Sequence, residues 1–375
     1  MAYDNIILFY PSFEKGGVEE IIKNLIIFNK TKKKKIFLIT NENKQVRNIE
    51  RVKNLHILSK LIKKNIFLPY RVWSSIICSI ELFKILKRFN KSNTLIHSMQ
   101  SNIFSILVAR LKGFKIAIRN SEDPISSIKF ADNKITAYFI FLIRFIFYNL
   151  PDKIITNSKG SADSLKLFTF GKNKKKINFI YNPYLSIKKK KLGKKSIKKK
   201  KIILGVGRLT SQKNFKNLII AFKESRLFLK DYKLLIIGDG SEKKELINLI
   251  KNYKLENYIK LKGYQKNTEK FFIQSKLFVL PSKYEGLGNV LIDAINFNVP
   301  CIATDCKSGP KEILCNGKGG LIVKNDNINS LTQALIKAIK NYKESKKKMN
   351  IAKKKLYRFE IWKQSQKYFN ELDKT

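Results

Sequence analysis

Short apolar runs alternate with helix-period segments along almost the whole chain, and this alternation restricts the fold more than any other feature. Residues 5–10 (NIILFY) predict a strand, which a glycine-containing loop joins to a helix at 18–28. The same order returns with a strand at 201–206, a loop at 207–214 and a helix at 215–228. A repeated strand–helix order predicts α/β domains built on parallel sheets.

The remaining elements follow from the same patterns. Short apolar runs predict further strands at 35–40, 55–58, 94–97, 115–118, 153–156, 176–180, 233–237, 259–261 and 277–280. Apolar residues at helical spacing predict further helices at 72–89, 102–112, 135–150, 242–254, 268–274, 290–295, from about residue 330, and at 356–372. Strands and helices therefore alternate in two successive series.

Composition separates these two series. Residues 185–200 are dominated by lysine and have no core pattern, which predicts a basic linker. The chain of 375 residues is long enough for a domain on each side, at 1–184 and 201–355. Residues 356–375 predict a C-terminal helix that packs back on the first domain. The predicted fold class is therefore α/β, with two Rossmann-like βαβ domains facing a central cleft.

The charge balance is strongly basic, with 77 Lys and Arg against 28 Asp and Glu, a formal net charge of +49 at pH 7. Such an excess is typical of proteins that meet nucleic acid, an anionic membrane surface or an acidic substrate. Because the excess is mostly lysine spread along the whole chain, biased base composition of a genome explains much of it equally well. No segment interleaves the charge with arginines or aromatics, so nucleic-acid binding is not expected. Attraction to anionic lipid headgroups remains an expectation.

Other features bear on compartment and metal binding. Four cysteines contain no CxxC pair and only two histidines are present, so we expect reduced thiols and no metal site. The opening MAYDNIILFYP matches a strand rather than a signal peptide. The longest apolar run, 135–150, is interrupted by Arg144 and is too short to span a bilayer comfortably, which favours a core or interfacial helix.

A nucleotide-sugar site is predicted where the strand at 277–280 leads through Gly286 and Gly288 into a helix. The first turn of a helix has unpaired N–H groups and a partial positive charge, so a glycine loop there lets a phosphate approach. Glu285 and Asp293 carry carboxylates, which would not assist the binding of a phosphate. Their expected role is to accept hydrogen bonds from hydroxyl groups. A ligand that carries both phosphate and hydroxyls is a nucleotide sugar.

The first domain offers a second polar cluster, at the end of the predicted strand 115–118. Arg119, Asn120 and Glu122 follow that strand, and ligands of such sheets bind at the carboxyl ends of the strands. They are acceptor-side candidates, with an ordinary loop as the alternative. His97 closes the preceding strand and joins these candidates, although a histidine bonded to backbone fits the pattern equally well.

Four sequence blocks together resemble the retaining GT-B glycosyltransferases of the family 4 type. They are GVGRLTSQKNFKNLIIAF (205–222), LLIIGDGSEKKEL (234–246), LPSKYEGLGNVLIDA (280–294) and ATDCKSGPKEIL (303–314). The blocks occur in the family's order and spacing, and with Gly16-Gly17 and Asn182-Pro183 they cover most of the chain. The resemblance implies the GT-B fold and a UDP-sugar donor held mainly by the second domain.

The resemblance also implies catalytic roles. Arg208 and Lys213 match the family's basic pair on the diphosphate, where negative charge builds as the glycosidic bond breaks, and they would stabilise it without a metal. Glu285 and Asp293 fall on the two positions of the paired-glutamate motif, at the sugar and ribose hydroxyls respectively. Asp293 stands where glutamate is usual, so its shorter side chain must sit closer to the ribose.

The remaining donor-binding positions implied by the resemblance act largely through backbone groups. They are Gly16, Gly17, Gly207, Tyr264, Gly286, Leu287, Gly288, Asn289 and Val290. For the Gly16-Gly17 pair alone, a tight helix entry is the alternative. Many members have a histidine at the end of the strand at 115–118, where this chain has Arg119 and Asn120, so no general base is assigned. No metal or other cofactor is expected.

The predicted function is therefore a retaining glycosyltransferase that moves a hexose or N-acetylhexosamine from a UDP-sugar to a hydroxyl of a lipid-linked or surface-glycan acceptor. The expected location is the cytoplasm, peripheral on the cytoplasmic face of the inner membrane, with the anionic membrane surface as a partner. The alternatives are a nucleotide-sugar epimerase on the same fold and a non-catalytic protein that binds sugar or nucleic acid.

Overall fold

The computed structural model describes residues 3–12, 17–41, 54–60, 62, 67–131, 133–171, 174–186 and 199–375. Gly16 and most of the predicted linker at 185–200 lie outside these described residues. The chain divides into two compact units. The first unit comprises Met1–Ile125, Asn133–Ser186 and Arg358–Thr375, and the second comprises Ser126–Asp132 and Ile187–Tyr357.

The first unit is built on a parallel sheet, which has seven strands within the described residues. They are β1 (Asn5–Phe9), β2 (Lys35–Asn41), β3 (Leu55–Lys60), β4 (Thr94–Ser98), β5 (Lys115–Asn120), β6 (Lys153–Thr156) and β7 (Ile177–Phe179), in the order β3-β2-β1-β4-β5-β6-β7. In β1, Ile6 and Leu8 enter one hydrophobic cluster, whereas Ile7 and Phe9 enter another. Because both faces of the strand are buried, its sequence is a continuous apolar run.

Helices cover both faces of this sheet. The helices of this unit up to residue 168 are α1 (Gly17–Lys32), α2 (Tyr70–Ile85), α3 (Asn102–Lys112), α5 (Lys134–Phe147) and α6 (Lys159–Phe168). The short helix α4 (Pro124–Lys129) comes between α3 and α5 in the chain, and its residues from Ser126 onward belong to the second unit. Helix α1 contributes to the cluster of Ile6 and Leu8, and α2, α3 and α6 contribute to that of Ile7 and Phe9. Helix α5 packs against the second cluster through Phe141, Phe145 and Phe147, but none of its own residues is buried.

The second unit repeats the plan with a parallel sheet, in which the described residues form six strands. The strands are β8 (Ile202–Val206), β9 (Lys233–Ile237), β10 (Ile259–Leu261), β11 (Leu277–Leu280), β12 (Cys301–Thr304) and β13 (Leu321–Val323), in the order β10-β9-β8-β11-β12-β13. The helices are α7 (Phe215–Glu224), α8 (Lys243–Asn252), α9 (Glu269–Gln274), α10 (Asn289–Asn296), α11 (Pro310–Ile313), α12 (Ile328–Lys340) and α13 (Tyr342–Lys354). The resulting order places β8 beside β11.

The last helix, α14 (Ile361–Leu372), belongs to the first unit. Its buried residues include Tyr368, Phe369 and Leu372. The Phe28 ring of α1 contacts Phe369 at 5.8 Å and Trp362 at 5.1 Å between ring centroids. This apolar contact buries one side of an amphipathic helix whose other side remains polar.

The structure corrects several predicted elements. Strand β5 continues through Arg119 and Asn120, so these residues lie within the strand and not in the loop after it. A 3-10 turn at Leu356–Phe359 precedes α14, where one continuous helix was predicted. Strands β12 and β13 and helices α4, α6 and α11 were not predicted. Apart from α6, each of these elements has six residues or fewer and therefore gives only a weak pattern.

Candidate active site

Two loops of the second unit meet because their strands are neighbours in the sheet. One loop follows β8 and the other follows β11. The Lys283 N–H donates to the Gln212 carbonyl oxygen at 2.8 Å, and Gln212 Nε2 donates to the Tyr284 carbonyl oxygen at 3.0 Å. These bonds join the two loops at the carboxyl edge of the sheet, which is where parallel sheets bind ligands.

Lys213 and Glu285 form an ion pair between these loops. Lys213 Nζ contacts Glu285 Oε1, and the two side chains are only 14% and 8% exposed. Ser282 Oγ donates to the same carboxylate oxygen at 2.6 Å. A charged pair removed from water in this way needs each charge compensated, since removal of one partner leaves the other buried and unpaired.

Buried hydroxyls hold the Glu285 loop in place. Ser308 Oγ donates to the Glu285 carbonyl oxygen at 2.5 Å, and Thr304 Oγ1 donates to the Ser282 carbonyl oxygen at 2.5 Å. Cys306 Sγ also donates to the Ser282 carbonyl oxygen, at 3.2 Å. Burial, together with the negative charge of Glu285, raises the pKa of Cys306 to about 12, so the thiol stays protonated. The backbone of the Glu285 loop is therefore held by side chains at the end of β12 and in the loop after it.

Glycines allow the loops to approach closely. A Cβ at Gly238 would lie 1.8 Å from the Gly207 carbonyl oxygen, and one at Gly240 would lie 2.3 Å from that of Leu209. A Cβ at Gly309 would lie 2.4 Å from the Leu287 Cα. The backbones after β8, β9, β11 and β12 are thus packed against one another, and no other residue type fits at these positions.

Arg208 lies on the same loop as Lys213 but in a different environment. Its side chain is exposed, with a long contact of 3.4 Å from Nη2 to Gln212 Oε1. Because long exposed side chains adjust easily, Arg208 is the more adaptable of the two cations. The structure thus provides one cation fixed by a carboxylate and one that reaches from the surface.

The predicted donor-binding residues around α10 differ in burial. Leu287 is 2% exposed, so its side chain belongs to the interior and only its backbone is open to a binding role. Gly288 has a left-handed φ of 83° and immediately precedes α10. Asn289, Val290 and Asp293 are half-buried on this helix. The helix start therefore follows a glycine loop, as predicted.

The other predicted donor residues are on separate elements. Tyr264 is 53% exposed and follows Gly263, whose carbonyl oxygen accepts from the Gly238 N–H at 3.0 Å. Gly207 bonds through its N–H to the Ile237 carbonyl oxygen at 3.0 Å. Gly17 is exposed as the first residue of α1, in the first unit, whereas Gly16 lies outside the described residues. The second-unit positions thus lie on loops after β8 and β10.

The acceptor-side candidates of the first unit are mostly buried. Arg119 Nη2 donates to Asn182 Oδ1 at 2.6 Å and Nη1 contacts Ser121 Oγ, and burial lowers the pKa of this guanidinium from its usual range. Asn120 Nδ2 donates to the Glu122 carbonyl oxygen at 2.6 Å. The Glu122 carboxylate is exposed and lies 3.7 Å from Arg144 Nη2. Of the three, only Glu122 presents its side chain to solvent.

His97 lies in the interior of the first unit. It is 0% exposed, with Nδ1 at 3.1 Å from the Ala117 carbonyl oxygen and Nε2 at 2.8 Å from Tyr368 Oη. Burial lowers the pKa of His97 to about 4, so the ring is neutral near pH 7. This is the backbone-bonded arrangement given above as the alternative, and it offers no support for an acceptor-side role.

Comparison with known proteins decides the family. The family described as glycosyl transferases group 1 matches residues 187–356. An N-acetylgalactosamine-N,N'-diacetylbacillosaminyl-diphospho-undecaprenol 4-alpha-N-acetylgalactosaminyltransferase of Campylobacter jejuni is 33% identical over 258 residues, which cover 68% of this chain and 69% of the relative. The chain belongs to the group 1 glycosyltransferases. The matched range contains both loops described above.

A second sequence relative and a solved structure agree with this family assignment. The amylovoran biosynthesis glycosyltransferase AmsD of Erwinia amylovora is 44% identical over 117 residues, 31% of this chain and 33% of that protein. The crystal structure of Anabaena HepE in complex with UDP and glucose superposes with a TM-score of 0.80, covering 100% of both chains at 16% identity. At that identity the likeness shows the fold, which is the α/β two-domain fold of GT-B glycosyltransferases.

The residues that hold Glu285 in this glycosyltransferase were not predicted. Ser282, Thr304 and Ser308 lie inside the matched blocks, but nothing in the sequence brings the last two to the Glu285 loop. For Ser282 a signal was present, since a serine three residues before a glutamate is the spacing of a local side-chain bond. In the described ranges, His, Cys, Asp and Glu form no group of three or more that is placed to hold a metal ion.

Proposed function

We propose that this glycosyltransferase transfers a hexose or N-acetylhexosamine from a UDP-sugar, with retention, to a hydroxyl of a lipid-linked or surface-glycan acceptor. The observation that carries the proposal is the pair formed by Lys213 and Glu285, fixed between two loops beside a glycine-lined helix start. It brings a cation for a diphosphate next to a carboxylate for sugar hydroxyls. No metal or other cofactor takes part.

The two cations act on the leaving diphosphate. As the bond between the sugar and the diphosphate breaks, negative charge grows on the phosphate oxygens, and positive groups placed in advance stabilise it. Lys213 supplies a fixed charge and Arg208 an adaptable fork of N–H donors. Both described bonds to Glu285 use Oε1, and we assign Oε2 to a sugar hydroxyl. Asp293, on α10, is assigned to the ribose hydroxyls.

The relatives support the donor and the acceptor class. Crystal structures show Anabaena HepE with UDP and glucose and a Staphylococcus aureus TarM mutant with UDP. These structures align with 100% and 99% of this chain respectively. The Campylobacter jejuni relative is named for a diphospho-undecaprenol-linked substrate and a 4-alpha linkage. An α linkage is what retention from an α-linked UDP-sugar would give. With such an acceptor, the proposed location is the cytoplasmic face of the inner membrane.

The test is turnover with defined donors. The full chain is incubated with single UDP- and GDP-sugars and with diphospho-undecaprenol-linked saccharides, and nucleotide release and product configuration are measured by chromatography and NMR. We expect UDP release coupled to an α-linked product. A β-linked product contradicts retention, and an altered UDP-sugar without UDP release identifies an epimerase. Tight, salt-sensitive RNA binding without any turnover identifies a binding protein instead.

A further inference from the structure

Helix α5 is apolar on two opposite sides. Its inward side packs through Phe141 and Phe145 on Phe168 of α6, with ring centroids 4.8 and 6.2 Å apart. Its outward side carries apolar residues at positions i, i+3, i+4, i+7 and i+11, which is one helical face. They are Ile135, Tyr138, Phe139, Leu142 and Ile146, each between 55% and 85% exposed. Helices that are apolar all round are normally covered on every side.

The exposed face continues onto the end of α6. Phe170 lies 5.5 Å from Phe145 between ring centroids and is 77% exposed, and Leu167 beside it is 71% exposed. We call these seven exposed residues the α5–α6 surface: Ile135, Tyr138, Phe139, Leu142, Ile146, Leu167 and Phe170. Nothing in the described part of the chain covers it.

Cations surround this surface. Lys134 begins α5, Lys166 precedes Leu167, and Lys174–Lys176 form a turn just after Phe170. Asp163 of α6 lies 3.9 Å from Lys166, and Glu122, which precedes α4, lies 3.7 Å from Arg144 of α5, so both carboxylates are already near cations. An apolar face with a cationic rim is complementary to a partner whose interior is apolar and whose outer boundary is negatively charged.

The second unit provides an internal comparison. Its large exposed apolar residues lie singly on separate elements: Leu229, Ile247, Tyr264, Ile336, Ile351 and Tyr357. Both units share the same biased composition, so composition alone does not produce the α5–α6 surface. Scattered single residues are normal on a protein surface, whereas contiguous patches mark interaction sites.

We infer that the α5–α6 surface docks into the headgroup region of an anionic lipid bilayer, with α5 lying in the membrane plane. Tyr138 and Phe139 would sit at the boundary between headgroups and acyl chains, and the lysines would contact lipid phosphates. A second copy of the chain is a poorer occupant, because two proteins of formal net charge +49 repel one another. The inference extends the proposed function, since a bilayer is where a lipid-linked acceptor resides.

The first test measures binding to vesicles without any donor, so its result is independent of catalysis. Full-length protein is sedimented with vesicles of phosphatidylcholine alone or of phosphatidylcholine with phosphatidylglycerol. We expect binding to the anionic vesicles that weakens as salt is added. The double variant Phe139→Ser/Leu142→Ser should lower the partition coefficient about tenfold, because two apolar side chains no longer insert. The matched control Leu229→Ser/Ile351→Ser, on exposed sites of the second unit, should bind like the wild type.

The second test reports insertion directly and guards against misfolding. Phe139→Trp should show a blue shift of tryptophan emission when anionic vesicles are added, whereas Leu229→Trp should not. Circular dichroism and thermal unfolding establish that each variant is folded. Equal vesicle binding by the wild type and the Phe139/Leu142 double variant would overturn the inference. So would a wild-type dimer in solution that the double variant converts to monomers, because the surface would then join two copies of the chain.

Discussion

Lys213 and Arg208 share a loop, but only Lys213 is fixed by a carboxylate. If both stabilise charge on the leaving diphosphate, Lys213→Ala and Arg208→Ala should each lower kcat by about a hundredfold. The measurement is UDP release at saturating donor, at a temperature where unfolding curves show each variant folded.

Lys216 provides the control for those two variants. It lies on the next turn, pairs at 2.9 Å with Glu245 on the surface, and is half-exposed. Lys216→Ala should leave kcat unchanged. Wild-type rates for both Arg208→Ala and Lys213→Ala would mean that the diphosphate is bound elsewhere.

We propose that Ser282 orients the Glu285 carboxylate and does not itself contact the substrate. Loss of its 2.6 Å bond in Ser282→Ala should release the carboxylate and lower kcat/KM about tenfold, the value of one hydrogen bond to a charged group. Ser275 is an equally buried serine of the same unit, whose Oγ donates to the Phe271 carbonyl oxygen at 2.6 Å. Ser275→Ala should lower the free energy of unfolding about as much as Ser282→Ala but leave kcat/KM unchanged. Equal kinetic effects of both variants would assign Ser282 a purely structural role.

At the scale of elements, a buried imidazole joins β4 to α14. The pKa of His97 is about 4 in the folded protein against about 6.5 in the unfolded chain. Between these values the unfolded chain binds a proton that the folded protein excludes, so stability rises with pH there and is lost as pH falls. We expect the free energy of unfolding to drop by up to about 3 kcal/mol from pH 7 to pH 4 through this group alone.

His97→Asn should flatten that part of the pH dependence, measured by urea unfolding at several pH values. His56, the other histidine, is exposed on β3, so His56→Asn should preserve the slope. An unchanged slope in His97→Asn would show that carboxylates, and not this histidine, control acid stability.

The glycine loops of the second unit give a prediction about strand ends. Gly238 has a φ of 147° and its Cβ would collide with the Gly207 carbonyl oxygen, whereas Gly263 has a φ of 65° and open space around it. Gly263→Ala should therefore lower the free energy of unfolding by only about 1 kcal/mol, the strain of a left-handed backbone. Gly238→Ala should lower the free energy of unfolding several times more, and it should also weaken UDP binding because the loop after β8 must move. Calorimetric titration with UDP and urea unfolding measure the two effects, and equal costs would contradict the close packing.

At the scale of the whole molecule, the strand positions followed from local sequence because central parallel strands are buried on both faces and have continuous apolar runs. The carboxyl-edge loops were equally visible, since glycines between a strand and a helix need no long-range information. The three residues of β13 gave no such signal, although the equally short β10 lies in an apolar run that did. The charge of +49 and the apolar run at 135–150 were also visible, but not the fact that one face of α5 stays exposed.

Local sequence patterns are enough to predict the α/β class, the two strand–helix series and the chemical types available for a nucleotide-sugar site. Which of those groups meet depends on the tertiary structure. Lys213 contacts Glu285 across 72 positions because β8 and β11 are adjacent in the sheet, and His97 bonds to Tyr368 across 271 positions because α14 packs on the first unit. Periodicity reports the environment of neighbouring residues, whereas such pairs depend on strand order and helix docking. For that reason the local pattern predicts Glu285 as a site residue but does not reveal the serines that hold it.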